Sequence, residues 1–308
     1  ALSARKRGLK AETAGWLGVT ALPLSVLLAR LFYCLCRLTW FCEQGFGWFF
    51  RMTEGGFMMY GALLGVLLAA GITAKVTGQK VFPILDTLAA PGFLTYALGR
   101  SGDLICSQGY GWPVEDWFSV DAFDPEEYTG MSLFHLEDAS FFERLPFAVE
   151  DEYYGNYRWA VALLIALLAL ILMIVLIRMN TKRDGSRAYM GLALLAAVTV
   201  LMESMRQDDL MRWGVVRVGQ IFSAILFAIL MVLLELRSPV KVKKSQYVRE
   251  WFFLLLGMGF VMIAEFMLEK KIVFVDFVPM DVCYVLMILA CTGMVLALSI
   301  PWKRQDVE

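Results

Sequence analysis

Long apolar runs constrain this chain more than any other feature. Residues 159–177 and 282–302 carry no charged side chain, and neither do 55–74, 218–234 and 251–264. Residues 13–36 are interrupted only by Arg30, residues 81–99 only by Asp86, and 189–202 run up to Glu203. A bilayer-spanning helix needs about 20 mostly apolar residues. The expected fold class is therefore all-α, a polytopic integral membrane protein with about eight transmembrane helices. Composition agrees: 59% of residues are apolar and 19% charged, against about 45–50% and about 25% in soluble domains. An ordinary water-soluble enzyme, a disordered chain and a collagen-like repeat are excluded.

Charge orients the spans. Basic residues cluster in alternate connections: Arg5, Lys6, Arg7 and Lys10; Lys75 and Lys80; Arg178, Lys182, Arg183 and Arg187; Arg237, Lys241, Lys243, Lys244 and Arg249; Lys303 and Arg304. These segments hold 17 of the 28 basic residues. Basic loops stay cytoplasmic, so both ends of the chain are expected on the cytoplasmic side. No secretory signal is expected at the start of the chain. The opposite face carries residues 101–155, with thirteen acids and the single base Arg144. That segment is expected to form an external acidic loop subdomain: a solvated cap, or a docking surface for a basic partner. The net charge of -1 is a cancellation between two strongly charged faces. No nucleic-acid partner is expected.

Cysteine and histidine offer little chemistry. Cys34 and Cys36 fall in the first span and Cys283 and Cys291 in the last, leaving Cys42 and Cys106 as the one outward pair for a disulfide. The lone His135 cannot build a His-based metal site. No nucleotide-binding loop or nucleophile elbow occurs.

Ionisable groups at membrane depth are costly and mark function. Arg30 lies in the first span and Asp86 in the third, while Arg100 and Asp103 close the third. Glu203 and Arg206 close the fifth on one helical face. Gln220 opens the sixth and Glu265 lies near the end of the seventh. Arg100, Asp103, Glu203, Arg206 and Gln220 thus share one depth, near the outer surface. A guanidinium there suits a phospholipid phosphate; internal pairing of Arg100 with Asp103 and of Glu203 with Arg206 is the other use. Gly61 and Gly65 form a small-xxx-small face for helix packing. Gly99 and Gly102 serve close packing or the approach of a ligand to the backbone.

Several segments resemble one family in order. Residues 55–66 are similar to a GGMSFHGGLIGV-type segment, and 99–111, GRSGDLICSQGYG, to a GRxGNFxNGExxG signature. Residues 203–208 are similar to an E-x-x-R-x-x-D region, 218–223 to MGQxLS, and 29–33 to the ARLxYVLF end of an earlier span. Asp86 and Pro91 fit the D-x-x-AP approach to the signature. The family is the bacterial prolipoprotein diacylglyceryl transferases, and the resemblance covers residues 1–236.

The resemblance implies transfer of a diacylglyceryl group from phosphatidylglycerol to the lipobox cysteine of a prolipoprotein. This happens at the outer leaflet of the bacterial cytoplasmic membrane, with no metal and no organic cofactor. It implies catalytic positions at Tyr60, Asp103 and Glu203. It implies substrate-binding positions at Arg100, Gly102, Gln108, Gly111, Arg206, Gln220 and Arg30. Four departures stand out. The family's His is Tyr60, whose phenol titrates near about 10 and is a poor base at neutral pH. A family Arg is Thr199, its signature Asn is Asp103 and a signature Glu is Gln108. The HPxQLYE segment has no counterpart near residues 153–158, and another family span would precede Ala1.

Three domains are expected: residues 1–236 as the transferase-like membrane domain, 237–250 as a basic cytoplasmic linker, and 251–308 as an additional two-helix hairpin. The alternative reading is a non-catalytic lipid-binding or assembly subunit, with a membrane partner on 251–302 or on the acidic loop. A transporter using Asp86 and Glu265 ranks last, because no inverted repeat is evident.

Overall fold

A computed structural model describes residues 9–105, 109–114, 118–120, 134–136, 147–150, 157–181, 183–207, 211–238, 243–271 and 278–304. Nine α-helices occur among them: α1 (Ala11–Cys36), α2 (Leu38–Gln44), α3 (Met59–Thr77), α4 (Val81–Ile105), α5 (Val161–Arg178), α6 (Ser186–Met205), α7 (Val218–Arg237), α8 (Lys244–Leu268) and α9 (Met280–Arg304). All but α2 are long and apolar enough to cross a membrane. In lipid, a spanning segment must satisfy its own backbone hydrogen bonds, which a helix does. The fold is the expected all-α polytopic membrane architecture, with each apolar run falling wholly or mostly within one long helix.

The short strands lie between the spans. β1 (Phe118–Val120) pairs in parallel with β2 (Phe134–Leu136), and β3 (Ala148–Glu150) pairs antiparallel with β4 (Tyr157–Trp159). β5 (Arg212–Trp213) and β6 (Val216–Arg217) form a tight hairpin whose turn includes Gly214 at φ +65. Most of the acidic loop, Gln108 and Cys106 included, lies outside the described residues. Cys42 is a free, exposed thiol. Among the described residues, no group of three His, Cys, Asp or Glu side chains could hold a metal.

The chain divides into two units, residues 1–91 with 176–190, and residues 92–175 with 191–308. In the first, α1 and α3 pack closely and antiparallel. A Cβ on Gly61 would strike the Leu28 carbonyl, and one on Gly65 would lie 2.5 Å from Ser25 Cα. The small-xxx-small face is thus used for backbone approach. Ala70, Ala74 and Ile84 form a buried cluster under Leu17, Val81, Leu85 and Leu88.

Two intramembrane charges of this unit do structural work. Asp86 is 2% exposed, and its carboxylate accepts the N–H groups of Gly185 and Ala188, each at 2.9 Å. It caps the start of α6, where backbone donors lack helical partners and the dipole favours an anion. Arg30, 0% exposed, spends its five donors on five backbone carbonyls between α1 and α3. Nε donates to Phe49, Nη1 to Gly55 and Gly56, and Nη2 to Trp48 and Arg51. Its guanidinium carbon also lies 4.0 Å from the Trp48 ring, a cation–π contact. Gly56, at φ +77, is glycine for space as well, since a Cβ would lie 2.6 Å from Arg30 Nη1.

In the second unit, Val161, Ile165 and Met202 form a core with Tyr96, Trp159, Leu164 and Val198 against them. α8 packs along α9, where Gly257 leaves room for Met294, and both touch α7.

Candidate functional site at the ends of α4, α6 and α7

The second unit gathers most of the expected site. At the end of α4, Arg100 Nη1 pairs with Asp103 Oδ2 at 2.7 Å, one helical turn apart. The Arg100 guanidinium also lies 5.3 Å from the Tyr96 ring centre. At the end of α6, Arg206 Nη1 pairs with Glu203 Oε1 at 3.3 Å. Glu203 and Arg100 interact electrostatically. Two guanidinium and two carboxylate groups therefore balance within one site, and both expected internal pairs form.

The signature loop following α4 is stitched to the end of α6. Gly111 bridges Arg206 in antiparallel fashion, and the Gln207 N–H donates to the Tyr110 carbonyl at 3.3 Å. Only glycine fits at 111: a Cβ would lie 2.6 Å from Val161 Cγ2 and 2.8 Å from the Met205 carbonyl oxygen. Gly102 differs, since a Cβ there would meet no described neighbour within 4 Å. Among the described residues, packing does not require glycine at 102.

Gln220, 5% exposed, joins three elements. Its Oε1 accepts the Arg217 N–H at 3.0 Å, and its Nε2 donates to the Val200 carbonyl at 3.3 Å and to Glu265 Oε1. Gly219 lies against Glu203: a Cβ at 219 would stand 3.1 Å from Glu203 Cγ. Thr199, where the family pattern has Arg, donates its hydroxyl to its own helix at Leu195, 2.8 Å away.

Of the remaining expected residues, Tyr60 and Arg30 belong to the first unit. Tyr60 is 7% exposed in the first turn of α3. Arg30 is committed to backbone carbonyls, which makes it an organiser of the loop between α1 and α3. Gln108 lies outside the described residues.

The structure adds residues that sequence reasoning passed over. Trp112 Nε1 donates to the Ser204 carbonyl at 3.3 Å, and the Tyr284 hydroxyl donates to the same oxygen at 3.1 Å. Arg158 donates to Gln207 Oε1, and Arg217 Nη2 donates to the Arg206 carbonyl. Arg217 had one visible signal: it is a basic residue at the non-basic end of a span.

Chemically, the arrangement offers two guanidinium groups for a phosphate ester and a carboxylate beside them. A family model described as prolipoprotein diacylglyceryl transferase matches residues 2–236. Among curated relatives, the phosphatidylglycerol–prolipoprotein diacylglyceryl transferase of Bacillus velezensis is 24% identical, over 75% of this chain and 79% of the relative. The protein of that name from Gloeobacter violaceus is 30% identical over 68% of this chain and 69% of its own length. The one from Shouchella clausii is 35% identical over 39% of this chain, a match spanning only 43% of the relative. With an ordered set of motifs, a matching family model and eight apolar helices, the chain belongs to the prolipoprotein diacylglyceryl transferase family.

Proposed function

We propose that this chain transfers the diacylglyceryl group of phosphatidylglycerol to the lipobox cysteine of a prolipoprotein, at the outer leaflet. The observation that carries the reading is the family match over residues 2–236, which takes in Arg100, Asp103, Glu203, Arg206 and Gln220. In this reaction the cysteine sulfur attacks the glyceryl carbon that bears the phosphate oxygen. A C–S bond forms, the C–O bond breaks, and glycerol phosphate leaves with the bonding pair. Arg100 and Arg206 are assigned to the phosphate, because guanidinium stabilises the charge that builds on a departing phosphate oxygen. Glu203 is the carboxylate assigned to the thiol proton. Gly102 is assigned to the approach of the headgroup to the backbone beside Arg100, and Gly111 holds the signature loop against Arg206. Both ends of the chain are taken as cytoplasmic, following the basic segments.

The test incubates purified chain with glyceryl-labelled phosphatidylglycerol and a lipobox peptide. Wild type is expected to label the peptide, and Arg100→Ala to lose about 10²–10³-fold in kcat/KM. No labelling by wild type, or equal labelling by both, would overturn the assignment.

One observation favours a second reading, a non-catalytic lipid-binding scaffold. Both guanidinium groups are already ion-paired, and Thr199 supplies no further charge. Saturable phosphatidylglycerol binding without transfer would establish it.

A further inference from the structure

We infer that the α8–α9 hairpin is a positioning element for the site, in which Tyr284 fixes the Ser204 carbonyl and Glu265 sets the orientation of Gln220. The hairpin lies beyond the family match, which ends at residue 236. The inference rests on the site assignment proposed above.

The geometry of Ser204 comes first. Its carbonyl lies in the last turn of α6, where C=O groups have no partner within the helix. A carbonyl oxygen has two lone pairs, and here two side chains donate to it. Trp112 comes from the signature loop at 3.3 Å and Tyr284 from α9 at 3.1 Å. Ser204 stands between Glu203 and Arg206, so fixing its peptide fixes the direction in which both side chains leave the helix. Tyr284 is itself 6% exposed, and breaking a hydrogen bond made by a buried hydroxyl carries a desolvation cost.

Gln220 follows the same logic from the other side. An amide can present either its oxygen or its NH₂ in a given direction. The Arg217 N–H requires an acceptor from Gln220, and it receives Oε1 at 3.0 Å. Glu265 Oε1 accepts from Gln220 Nε2 on the opposite side. The side-chain amide is then locked in one orientation, which also places Nε2 on the Val200 carbonyl of α6. Glu265 is 5% exposed, and a carboxylate buried there is costly unless it is partnered. At the end of α8, Glu269 pairs with Arg212 of β5, the hairpin whose other strand carries Arg217. Through these contacts the additional hairpin reaches α6, the start of α7 and the β5–β6 turn.

The experiment uses the full chain in nanodiscs with phosphatidylglycerol and a lipobox peptide. Tyr284→Phe and Glu265→Leu are expected to lower kcat about tenfold, in line with the cost of a small misplacement of catalytic groups. KM for the lipid should stay within about twofold, because neither residue touches the phosphate. Glu265→Gln, which keeps an acceptor for Gln220, is expected to restore most of the rate. Glu265→Leu combined with Gln220→Leu should be no slower than Gln220→Leu alone, since residues acting through one contact are not additive. In amide hydrogen exchange, peptides covering residues 203–207 and 218–222 should exchange severalfold faster in Tyr284→Phe and Glu265→Leu. Wild-type kcat with unchanged exchange in both variants overturns the inference. So does Glu265→Gln as impaired as Glu265→Leu, or an additive double variant. A wild type that transfers no label overturns the proposed function instead, and the exchange result still decides whether the hairpin holds the ends of α6 and α7.

Discussion

Arg30 and Arg100 are the same side chain at membrane depth, used in different ways. Arg30 places all five donors on backbone carbonyls of the segment between α1 and α3, and no solvent reaches it. Arg100 pairs with a carboxylate that is itself about a third exposed, and a Cβ on nearby Gly102 would meet no described neighbour within 4 Å. Residue identity could not separate the two roles, because the partners of Arg30 are carbonyls, which every residue carries. Asp103 is the residue at which the chain departs from the signature and at which the site neutralises itself. Asp103→Asn removes the competing anion while keeping a hydrogen-bond acceptor. It is expected to lower KM for phosphatidylglycerol severalfold, as read in a titration of lipid in mixed micelles. An unchanged or higher KM would show that Arg100 is not in contact with the phosphate. Thr199 could be read only as a missing cation; its hydroxyl turned back onto Leu195 is what a helical Thr does by default.

At the scale of elements, glycines divide by what surrounds them. Gly61 and Gly65 sit against the backbone of α1, and the four-residue spacing alone was enough to read this. Gly61→Val is expected to abolish recovery of folded protein, because no flexible side chain can move aside. Gly102→Ala should leave the melting temperature unchanged and still reduce transfer, if a headgroup lies along that backbone; size-exclusion and melting measurements beside the transfer assay separate the two. Asp86 shows what spacing cannot reveal. Its position in a span marked it as functional, yet its partners lie about a hundred residues later, at Gly185 and Ala188. Asp86→Ala removes a buried helix cap and is expected to cost about 1–2 kcal/mol of stability, measured by thermal unfolding in detergent, with kcat unchanged. Transporter chemistry would instead make Asp86→Asn abolish an ion flux in liposomes.

For the whole molecule, the sequence was most legible where one physical rule acts alone. Hydropathy over about 20 residues located the eight long apolar helices found among the described residues, because a helix satisfies its backbone hydrogen bonds within one segment. The arrangement of the site needed more, since Ser204, Trp112 and Tyr284 meet across 80 and more residues of chain. Orientation across the membrane is open to direct test. Cys42 is a free, exposed thiol between α1 and α3, on the side that the basic segments leave outward. In sealed spheroplasts, a Cys106→Ser chain is expected to react with a membrane-impermeant maleimide, and a Cys42→Ser/Cys106→Ser chain is not. Labelling that requires permeabilised membranes would reverse the orientation. The grip of the hairpin on the rest of the second unit carries one more consequence. Tyr284 holds a main-chain oxygen and Glu265 holds Gln220, a residue the family pattern already has. The Ser204 oxygen is main chain and would be present whatever residue stood there, whereas Glu269 needs Arg212. Fused after the equivalent of α7 in a relative that carries Gln and Arg at the positions of Gln220 and Arg212, residues 244–304 are expected to find the same attachment points.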